Sequence, residues 1–494
     1  MLGIELEINW TFGSLFLVGL QFVLIAGVTL RVILTRHPPG SSFAWILLTV
    51  VVPFFGFLLY LMMGERPIGR LRARRMREAL ARWPALPAAD AGAPFPAIAP
   101  AETLAAADQP IARLATRLGG LPLNGGSRLE LASNTTAILQ RIAADLAAAQ
   151  SRVEMAFYIW HAGGLADEVA RALMAAAQRG VQCQLLLDAV GSKEFLDSHW
   201  HAELRQAGVQ VAQAMRVRLW EMPFVRADLR LHRKIVVIDG VLAYTGSMNL
   251  VDPRYFKQDA GVGEWIDAMA RIEGPAVASL EAVFRYDWTL HSSRPALPPS
   301  ATQAPARTSV QGDARVVVVP SGPASILDAN RRLIIEAINR ARRRILLTTP
   351  YFVPGEPLAI ALQNAALRGV EVRLLVPRRN DSRLVKYASR RYFDDLLTTG
   401  VKVLLYGGGL LHTKSITVDD EFALFGTVNL DQRSMHLNFE LMLLVFDARF
   451  TGELVGLQES YERDATPLER DRWRQRPLRE RLKEGACYLV SPLL

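Results

Sequence analysis

Hydrophobic residues are concentrated near the start of the chain, in two stretches that contain no charged residue. The first lies between Glu7 and Arg31 and includes FGSLFLVGLQFVLIAGVTL, and the second runs from Pro38 to Gly64 as PPGSSFAWILLTVVVPFFGFLLYLMMG. About 20 apolar residues in a helix cross a hydrocarbon layer of about 30 Å. The pattern therefore predicts two transmembrane helices, although the second stretch could instead form a re-entrant or Pro-kinked hairpin around Pro53.

A cleaved secretory signal is the alternative interpretation of the first stretch. Such a signal begins with basic residues, whereas Glu5 and Glu7 precede this stretch and a second apolar segment follows it at once. We therefore prefer a membrane anchor.

Basic residues indicate how this anchor is oriented. The connection between the two stretches carries Arg31, Arg36 and His37, and the heavier cluster after the second stretch consists of Arg66, Arg70, Arg72, Arg74, Arg75 and Arg77. The heavier cluster stays on the cytoplasmic side, which for two spans places both termini and the rest of the chain inside. If only one segment crosses, that arrangement reverses. With a net charge of +9 beside such an anchor, an anionic membrane surface is a simpler partner than nucleic acid.

After the anchor, patterns typical of helices and strands alternate, in the same order twice. In the first half, NTTAILQRIAADLAAAQ is helical, VEMAFYIW is strand-like, a helix starts at about Gly164, and VQCQLLLDAVGS, a further helix and GVQVAQAM follow. The second half repeats the series with ILDANRRLIIEAINRARRR, ILLTTPYFVP, a helix, VEVRLLVPRRND, a helix and GVKVLLYG. This alternation predicts α/β lobes with a largely parallel sheet, and its repetition indicates a gene duplication.

Composition divides the chain into five parts. Two stretches rich in Pro and Ala, near residues 84–110 and 292–309, separate the more regular segments. The predicted parts are the anchor with two transmembrane helices and a basic exit (1–78), a connector (79–125), a first lobe (126–291), a linker (292–312), and a second lobe with the C-terminal tail (313–494). The predicted fold is thus two similar α/β lobes preceded by a transmembrane helical hairpin.

Each half ends on the same motif. The first copy reads LHRKIVVIDGVLAYTGSMNL and the second reads LHTKSITVDDEFALFGTVNL, displaced by 180 residues (412 − 232). The matched residues are His232, Lys234, Asp239, Gly246, Ser247 and Asn249 in the first copy, and His412, Lys414, Asp419, Gly426, Thr427 and Asn429 in the second. Chance does not account for two such copies, so a duplicate that has lost activity is the remaining alternative.

The motif contains the groups that phosphoryl transfer requires. Side chains at i and i+2 of a strand share a face, so each His points the same way as its Lys. One imidazole can attack phosphorus while the other transfers protons, and the ammonium groups stabilise the transition state without a metal. We expect Ser247, Asn249, Thr427 and Asn429 to bind phosphate oxygens. Asp239 and Asp419 complete the catalytic motif and support it structurally, because an Asp at a strand end is often a turn former.

Each imidazole also needs a partner for its second nitrogen. Asp259 follows His232 by 27 residues (259 − 232) and Glu440 follows His412 by 28 (440 − 412), so we predict that these carboxylates orient the histidines. The sequence does not distinguish the two halves, and His232 as the nucleophile is a working hypothesis. Cys183 and Cys487 are far apart and the other histidines form no ligand pattern, so no metal or other cofactor is predicted.

With two H-x-K-x4-D motifs, each followed by G-[ST]-x-N, the chain resembles the phospholipase D superfamily from about Asn134 to Phe450. The resemblance implies two α/β lobes, one shared active site and a phosphohistidine intermediate. This superfamily includes phospholipases, a nuclease, phosphatidylserine synthases and bacterial cardiolipin synthases.

Other segments narrow the resemblance. RHPPGSSFAWILLTVVVPFFGFLLYLMMGER, NLVDPRYFKQDAGVGEWIDAMARIEGP, TTPYFVPGEP and SPLL are similar to the bacterial cardiolipin synthases of the A type. This similarity implies a transferase of the bacterial inner membrane that joins two phosphatidylglycerols, giving cardiolipin and glycerol. It also implies that Asn249 and Asn429 contact phosphate. The alternatives are a membrane-bound phospholipase D that hydrolyses phospholipids, a membrane-bound nuclease, and a catalytically dead lipid-binding scaffold.

Overall fold

The computed structural model describes residues 2–35, 39–64, 74–76, 78, 98–217, 226, 228–299, 312–323 and 328–491. The chain forms two compact units, one of residues 1–74 and 217–229 and the other of residues 75–216 and 230–494. Both copies of the motif belong to the second unit.

The N-terminal unit is built from apolar helices. They cover Leu2–Leu34, Pro39–Val51 and Pro53–Leu59, and a π-helical turn follows at Tyr60–Gly64. Within the described residues, one helical segment, Gly13–Leu34, is long and apolar enough to cross a membrane. The structure does not support the predicted second span, because the helix breaks at Val52–Pro53 and a Cβ on Gly56 would lie 2.7 Å from the Cα of Thr49. This sharp bend agrees with the Pro-kinked alternative.

The second unit contains strands from both halves. The first half supplies β1 (Leu123–Ala132), β2 (Arg152–Phe157), β3 (Gln182–Asp188), β4 (Gln210–Ala214), β5 (Ile235–Ile238), β6 (Leu242–Gly246), β7 (Trp265–Ile266) and β8 (Met269–Glu273). The second half supplies β9 (Ala314–Ser321), β10 (Arg344–Thr348), β11 (Glu371–Pro377), β12 (Lys402–Tyr406), β13 (Leu410–Leu411), β14 (Ser415–Val418), β15 (Phe422–Gly426), β16 (Glu440–Phe446) and β17 (Ala465–Pro467).

Fifteen of the described strands form one sheet that is nearly symmetric about its centre. Its order is β4-β3-β2-β5-β6-β8-β1-β9-β16-β15-β14-β10-β11-β12-β17. The antiparallel β1–β9 pair joins the lobes, and on either side of it the strands follow the same order in each half. The two predicted α/β lobes are therefore confirmed, and they form one continuous sheet.

The prediction of a largely parallel sheet is wrong. Of the described strands in the large sheet, β2, β3 and β4 run parallel, as do β10, β11 and β12, and the other neighbouring pairs are antiparallel. The strand after each motif histidine forms a hairpin with the next strand (β5–β6 and β14–β15). Short turns at Asp239 and Asp419 make these hairpins, and short turns can join only antiparallel strands.

Helices cover the sheet as the sequence predicts. In the first half they are Thr135–Ala147, Leu165–Gln178, Lys193–Asp197, His199–Gln206 and Ala276–His291. In the second half they are Ala329–Arg340, Glu356–Leu367, Arg383–Thr399, Gln432–His436, Ala448–Arg463, Arg470–Arg474 and Leu478–Leu489. Short 3₁₀ turns occur at Ala101–Thr103 and Gln258–Ala260.

The later part of the predicted connector belongs to the second lobe. Helix Gln109–Gly119 buries Ile111, Ala115 and Leu118 in the same apolar core as Val317 and Ile334. The low complexity of the surrounding sequence concealed this amphipathic helix. Most of the earlier part of the connector, and residues 300–311 of the predicted linker, lie outside the described residues.

Candidate active site

Backbone hydrogen bonds between the lobes position both motif histidines. The N–H of His232 donates to the carbonyl of Phe439 at 2.9 Å, and the N–H of His412 donates to the carbonyl of Ile266 at 2.9 Å. A bridge between Leu231 and Phe439 precedes the first histidine, and the β7–β13 pair precedes the second. Each histidine therefore enters the site on a short strand segment that pairs with the opposite lobe.

Each imidazole is hydrogen-bonded to a buried carboxylate of the opposite lobe. His232 Nδ1 lies 2.9 Å from Oε2 of Glu440, and His412 Nδ1 lies 2.6 Å from Oδ1 of Asp267. A carboxylate accepts, so Nδ1 of each ring carries the hydrogen and Nε2 of the neutral ring keeps its lone pair. This tautomer leaves Nε2 available for attack on phosphorus or for proton transfer.

Each histidine is thus paired with a carboxylate from the other lobe, and this exchanged pairing corrects the predicted partners. Asp259 lies in the exposed turn Gln258–Ala260 and does not orient a histidine, so its prediction is wrong. Asp267 has the predicted role instead, and Glu440 orients His232 rather than the histidine of its own motif. The sequence does contain a signal for Asp267, because an acidic residue stands two positions before a methionine in both halves (Asp267 before Met269 and Glu440 before Met442). In the structure each of these methionines pairs with the glycine of its own motif.

The motif hydroxyl groups hold these carboxylates. Ser247 Oγ donates to Oδ1 of Asp267 at 2.6 Å, and Thr427 Oγ1 donates to Oε2 of Glu440 at 2.5 Å. The N–H groups of Ala268 and Leu441 donate back to the two hydroxyl oxygens. Because each hydroxyl has a single hydrogen, the predicted phosphate-binding role of Ser247 and Thr427 is revised to a positioning role.

The motif asparagines are buried beside the histidines. Asn249 is 1% exposed and Asn429 is 4% exposed. Asn249 accepts through Oδ1 from the N–H of Ile159 at 3.2 Å, which turns its NH₂ group away from this backbone. The Oδ1 of Asn429 is buried without a hydrogen-bond partner among the described residues. Contact between phosphate and these two amides stays a prediction.

Both lysines are buried and held against the backbone of their own motif. Lys234 Nζ donates to the carbonyl of His232 at 2.7 Å, and Lys414 Nζ donates to the carbonyl of His412 at 2.5 Å. Burial lowers the pKa of Lys234 to about 8 and that of Lys414 to about 7, in the second case with help from the charge of Lys234. Because each histidine is bonded to a carboxylate of the opposite lobe, the two motifs form one site.

Burial also determines the charge of the imidazoles and their partners. It lowers the pKa of His232 and of His412 to about 4, although Glu440 and Asp267 act in the opposite direction. Burial disfavours ionisation of the carboxylates, but their histidine and lysine neighbours hold the pKa of Asp267 and of Glu440 below its ordinary value. At neutral pH both imidazoles are therefore neutral and both carboxylates are ionised.

The motif aspartates lie at the hairpin turns, outside this network. Asp239 accepts from the N–H groups of Gln150, Ser151 and Arg152, and Asp419 accepts in the same way from those of Arg342, Arg343 and Arg344. Both have positive φ, 53° and 55°, which Asp tolerates better than most residues. They tie each hairpin to the start of β2 or β10, so the structure assigns them the structural part of their predicted role.

Comparison with known proteins identifies the family. The family model described as "Cardiolipin synthase, PLD-like domain" matches residues 142–288 and 334–460, and one described as "Phospholipase_D-nuclease N-terminal" matches residues 23–65. Cardiolipin synthase A of Yersinia pseudotuberculosis serotype O:1b (strain IP 31758) is 43% identical over 96% of this chain and 97% of its own. Cardiolipin synthase A of Klebsiella pneumoniae (strain 342) is 42% identical over 99% of each chain.

A solved structure with the same fold supports the match. Phosphatidylserine synthase of Haemophilus influenzae Rd KW20 superimposes with a TM-score of 0.59 at 18% identity, over 78% of this chain and 100% of that one. At this identity the similarity establishes the fold alone. Together with the paired motifs and the full-length matches, it shows that the chain belongs to the phospholipase D-like family of the cardiolipin synthases.

Proposed function

We propose that this protein synthesises cardiolipin by transferring a phosphatidyl group from one phosphatidylglycerol to another, with release of glycerol. The observation that carries the proposal is the exchanged pair of imidazoles, each held by a carboxylate of the opposite lobe beside two buried lysines. Two equivalent nitrogens suit a reaction in which one alcohol leaves phosphorus and a similar alcohol replaces it. The close relatives named cardiolipin synthase A support this choice.

The first half-reaction forms a covalent intermediate. Nε2 of His232 attacks phosphorus and the bond to the glycerol oxygen breaks, while Nε2 of His412 gives its proton to that oxygen. Burial keeps His412 neutral at pH 7, but the negative charge of a bound phosphodiester raises the pKa of a neighbouring imidazole and lets it take up this proton. In this step Lys234, Lys414, Asn249 and Asn429 stabilise the charge on the phosphoryl oxygens.

The second half-reaction reverses the proton transfers. Now neutral, His412 removes the proton from the glycerol hydroxyl of a second phosphatidylglycerol, and the resulting oxygen attacks the phosphohistidine. Cardiolipin leaves and His232 regains its free Nε2. Water attacking instead would give phosphatidic acid, so a site at a lipid surface favours transfer through the high local concentration of lipid alcohol.

For the membrane topology we propose one span and a re-entrant hairpin. Gly13–Leu34 crosses the membrane, and the bent segment Pro39–Gly64 returns to the side from which it enters. Arg31, Arg36 and the arginine cluster of residues 66–77 then lie on one side, which is the cytoplasmic side. The basic cluster holds the catalytic body inside, so the reversal expected for a single span applies to the N-terminus alone, which moves outside with Glu5 and Glu7. Labelling of single cysteines introduced at each end of the chain in intact cells tests it.

Product analysis tests the reaction. Purified full-length protein in vesicles of labelled phosphatidylglycerol is expected to give cardiolipin and glycerol in equal amounts. Phosphatidic acid as the main product would favour the hydrolytic alternative, and cleavage of single-stranded DNA would favour the nuclease. A dead scaffold would give no product, and its biological role would survive His232→Ala and His412→Ala.

A further inference from the structure

The last described helix, Leu478–Leu489, packs on the second lobe through one of its faces. Glu484 is 1% exposed and accepts hydrogen bonds from Arg390 at 2.8 Å and Arg476 at 2.9 Å. Tyr488 packs edge-on against Tyr392, with ring centroids 5.5 Å apart. Buried ion pairs and aromatic packing thus fix this face on helix Arg383–Thr399.

The opposite face of the same helix is apolar, and no described residue covers it. Leu478, Leu482 and Leu489 are 68%, 63% and 80% exposed. At 100° per residue these leucines form a single stripe, which also includes the exposed Ala486 and lies on the other side of the helix from Glu484. Single exposed leucines need no explanation, but a continuous stripe on a regular helix does.

Basic side chains border this leucine stripe. Arg479 and Lys483 follow one edge of it and Arg481 follows the other, and all three are exposed. Residues 469–490 contain seven Arg or Lys and four Asp or Glu. Lys483 is paired with Glu480, and Glu484 is paired with Arg390. The segment still has a net charge of +3 (7 − 4), so the region around the leucine stripe is positive.

The supporting helix also leads to the active site. Helix Arg383–Thr399 begins two residues after Asp381, which accepts a hydrogen bond from the Tyr351 hydroxyl at 2.8 Å and pairs with Lys257 at 3.4 Å. Lys257 lies over the ring of Trp265, and that ring packs against His412. A chain of contacts through Asp381, Lys257 and Trp265 thus runs from the start of the helix that supports Leu478–Leu489 to His412.

We propose that helix Leu478–Leu489 lies in the surface of an anionic bilayer, with its leucine stripe among the lipid chains and its basic borders at the headgroups. An apolar stripe flanked by Arg and Lys is the arrangement that holds interfacial helices in the membrane plane, and a basic border complements anionic lipids. The contact fixes how the second lobe faces the membrane, which tethering alone does not do.

A depth measurement tests the location without using activity. The full-length protein carries Leu482→Cys in a Cys487→Ser background, because Cys183 is buried and Cys487 is partly exposed. A fluorophore at residue 482 is expected to be quenched by nitroxide lipids in nanodiscs of phosphatidylglycerol, and less in nanodiscs of phosphatidylcholine or at high salt. Leu367→Cys is the matched control, since Leu367 is 69% exposed and ends the helix before β11, at the end of the strands opposite the motif residues.

The outcomes separate the occupants of the leucine stripe. Quenching at residue 482 but not at 367 supports the proposal. Equal quenching at both positions, or none at 482, overturns it. A fluorophore at 482 that is shielded only at high protein concentration also overturns it, because a second copy of the chain then covers the stripe.

An activity measurement adds a second test, and this part rests on the proposed function. Leu482→Glu is expected to lower cardiolipin formation about three- to tenfold in phosphatidylglycerol vesicles and to leave it unchanged in detergent micelles, where no bilayer surface exists. Leu367→Glu is expected to change neither. An equal loss of cardiolipin formation in vesicles and in micelles would show that Leu482→Glu disturbs folding, and it would overturn the proposal. Absence of cardiolipin with the wild-type protein contradicts the proposed function and leaves the depth result valid.

Discussion

The surroundings of His232 and His412 differ, although their motifs repeat. His232 lies 5.1 Å from the ring of Tyr158 and is held by a glutamate, whereas His412 lies 4.4 Å from Trp265 and is held by an aspartate at a shorter distance. His232 is 7% exposed and His412 is 3% exposed. The duplication thus preserved the reacting groups and changed the packing around each of them.

The residue between His and Lys differs even more. Arg233 is buried and donates to the carbonyl of Glu440, to Asp287 at 2.6 Å and to the carbonyl of Ser321. Its counterpart Thr413 makes neutral hydrogen bonds, to the carbonyl of Ile266 and with the Tyr461 hydroxyl. A buried ion pair therefore braces the first motif, whereas neutral polar groups brace the second.

Removing either imidazole should have the largest effect. We expect His232→Ala and His412→Ala each to lower cardiolipin formation by about 10³-fold or more, because each removes a nucleophile or a proton carrier. The variants should differ in the trapped intermediate: His412→Ala still forms a phosphorylated peptide containing residue 232, and His232→Ala forms none. Mass spectrometry after acid-free quenching checks this, and phosphate on His412 would assign the roles in reverse.

Loss of a carboxylate charge should come next. Glu440→Gln and Asp267→Asn each disturb the tautomer of the opposite lobe's histidine, and we expect losses in kcat of about 10²-fold with little change in KM. Asp259→Asn is the matched control, because Asp259 is exposed, and its activity should stay within about twofold of the wild type. A large effect at Asp259 with none at Asp267 would refute the exchanged pairing.

The pH profile should distinguish the two lysines. Below about pH 4 the imidazoles gain protons and lose the nucleophile, whereas above about pH 7 Lys414 loses its charge, followed by Lys234 near pH 8. The profile of kcat, which reports the complex in which the bound phosphodiester has protonated His412, is therefore expected to fall on both sides. Lys414→Arg keeps its charge and should move the alkaline limb upward by about one pH unit. Lys234→Arg should leave that limb nearly in place, and the opposite result would reverse the order of titration.

The hydroxyl groups should have the smallest effect. Ser247→Ala and Thr427→Ala each remove one hydrogen bond to a buried carboxylate, which corresponds to about 1 kcal/mol and about a fivefold loss in kcat. Because the carboxylates act on opposite histidines, Ser247→Ala should add little once His412 is replaced, and Thr427→Ala should add little once His232 is replaced. Double-mutant cycles measure this coupling, and coupling of Ser247 to His232 would contradict it.

Much of the fold could be predicted because its signals are local. The repeated strands around VEMAFYIW and ILLTTPYFVP, and the shared face of each His and Lys, follow from the period of the chain. The parallel arrangement was predicted wrongly, because the hairpins at Asp239 and Asp419 reverse the chain within three residues. Helix Gln109–Gly119 was missed because its surroundings look like a linker.

The carboxylate exchange could not be predicted from spacing. Asp259 lies almost as far from His232 as Glu440 lies from His412, so counting along the chain favoured the wrong residue. The first half has a longer loop between Asn249 and its carboxylate than the second half has after Asn429, and this loop contains Asp259. The pairing of carboxylates with imidazoles depends on long-range contacts: Asp267 and His412 are separated by 145 positions in the chain, and His232 and Glu440 by 208. No local sequence pattern carries that information.

The exchanged carboxylates also constrain the ancestry of the chain. A single lobe would contain a complete motif but would lack the carboxylate that selects the tautomer of its histidine. An ancestral chain with one motif could thus have been active only as a symmetric pair, in which each subunit completed the other across a two-fold axis. The β1–β9 junction is where that subunit boundary would have been. Fusion of the two genes then freed each copy to change its surroundings independently.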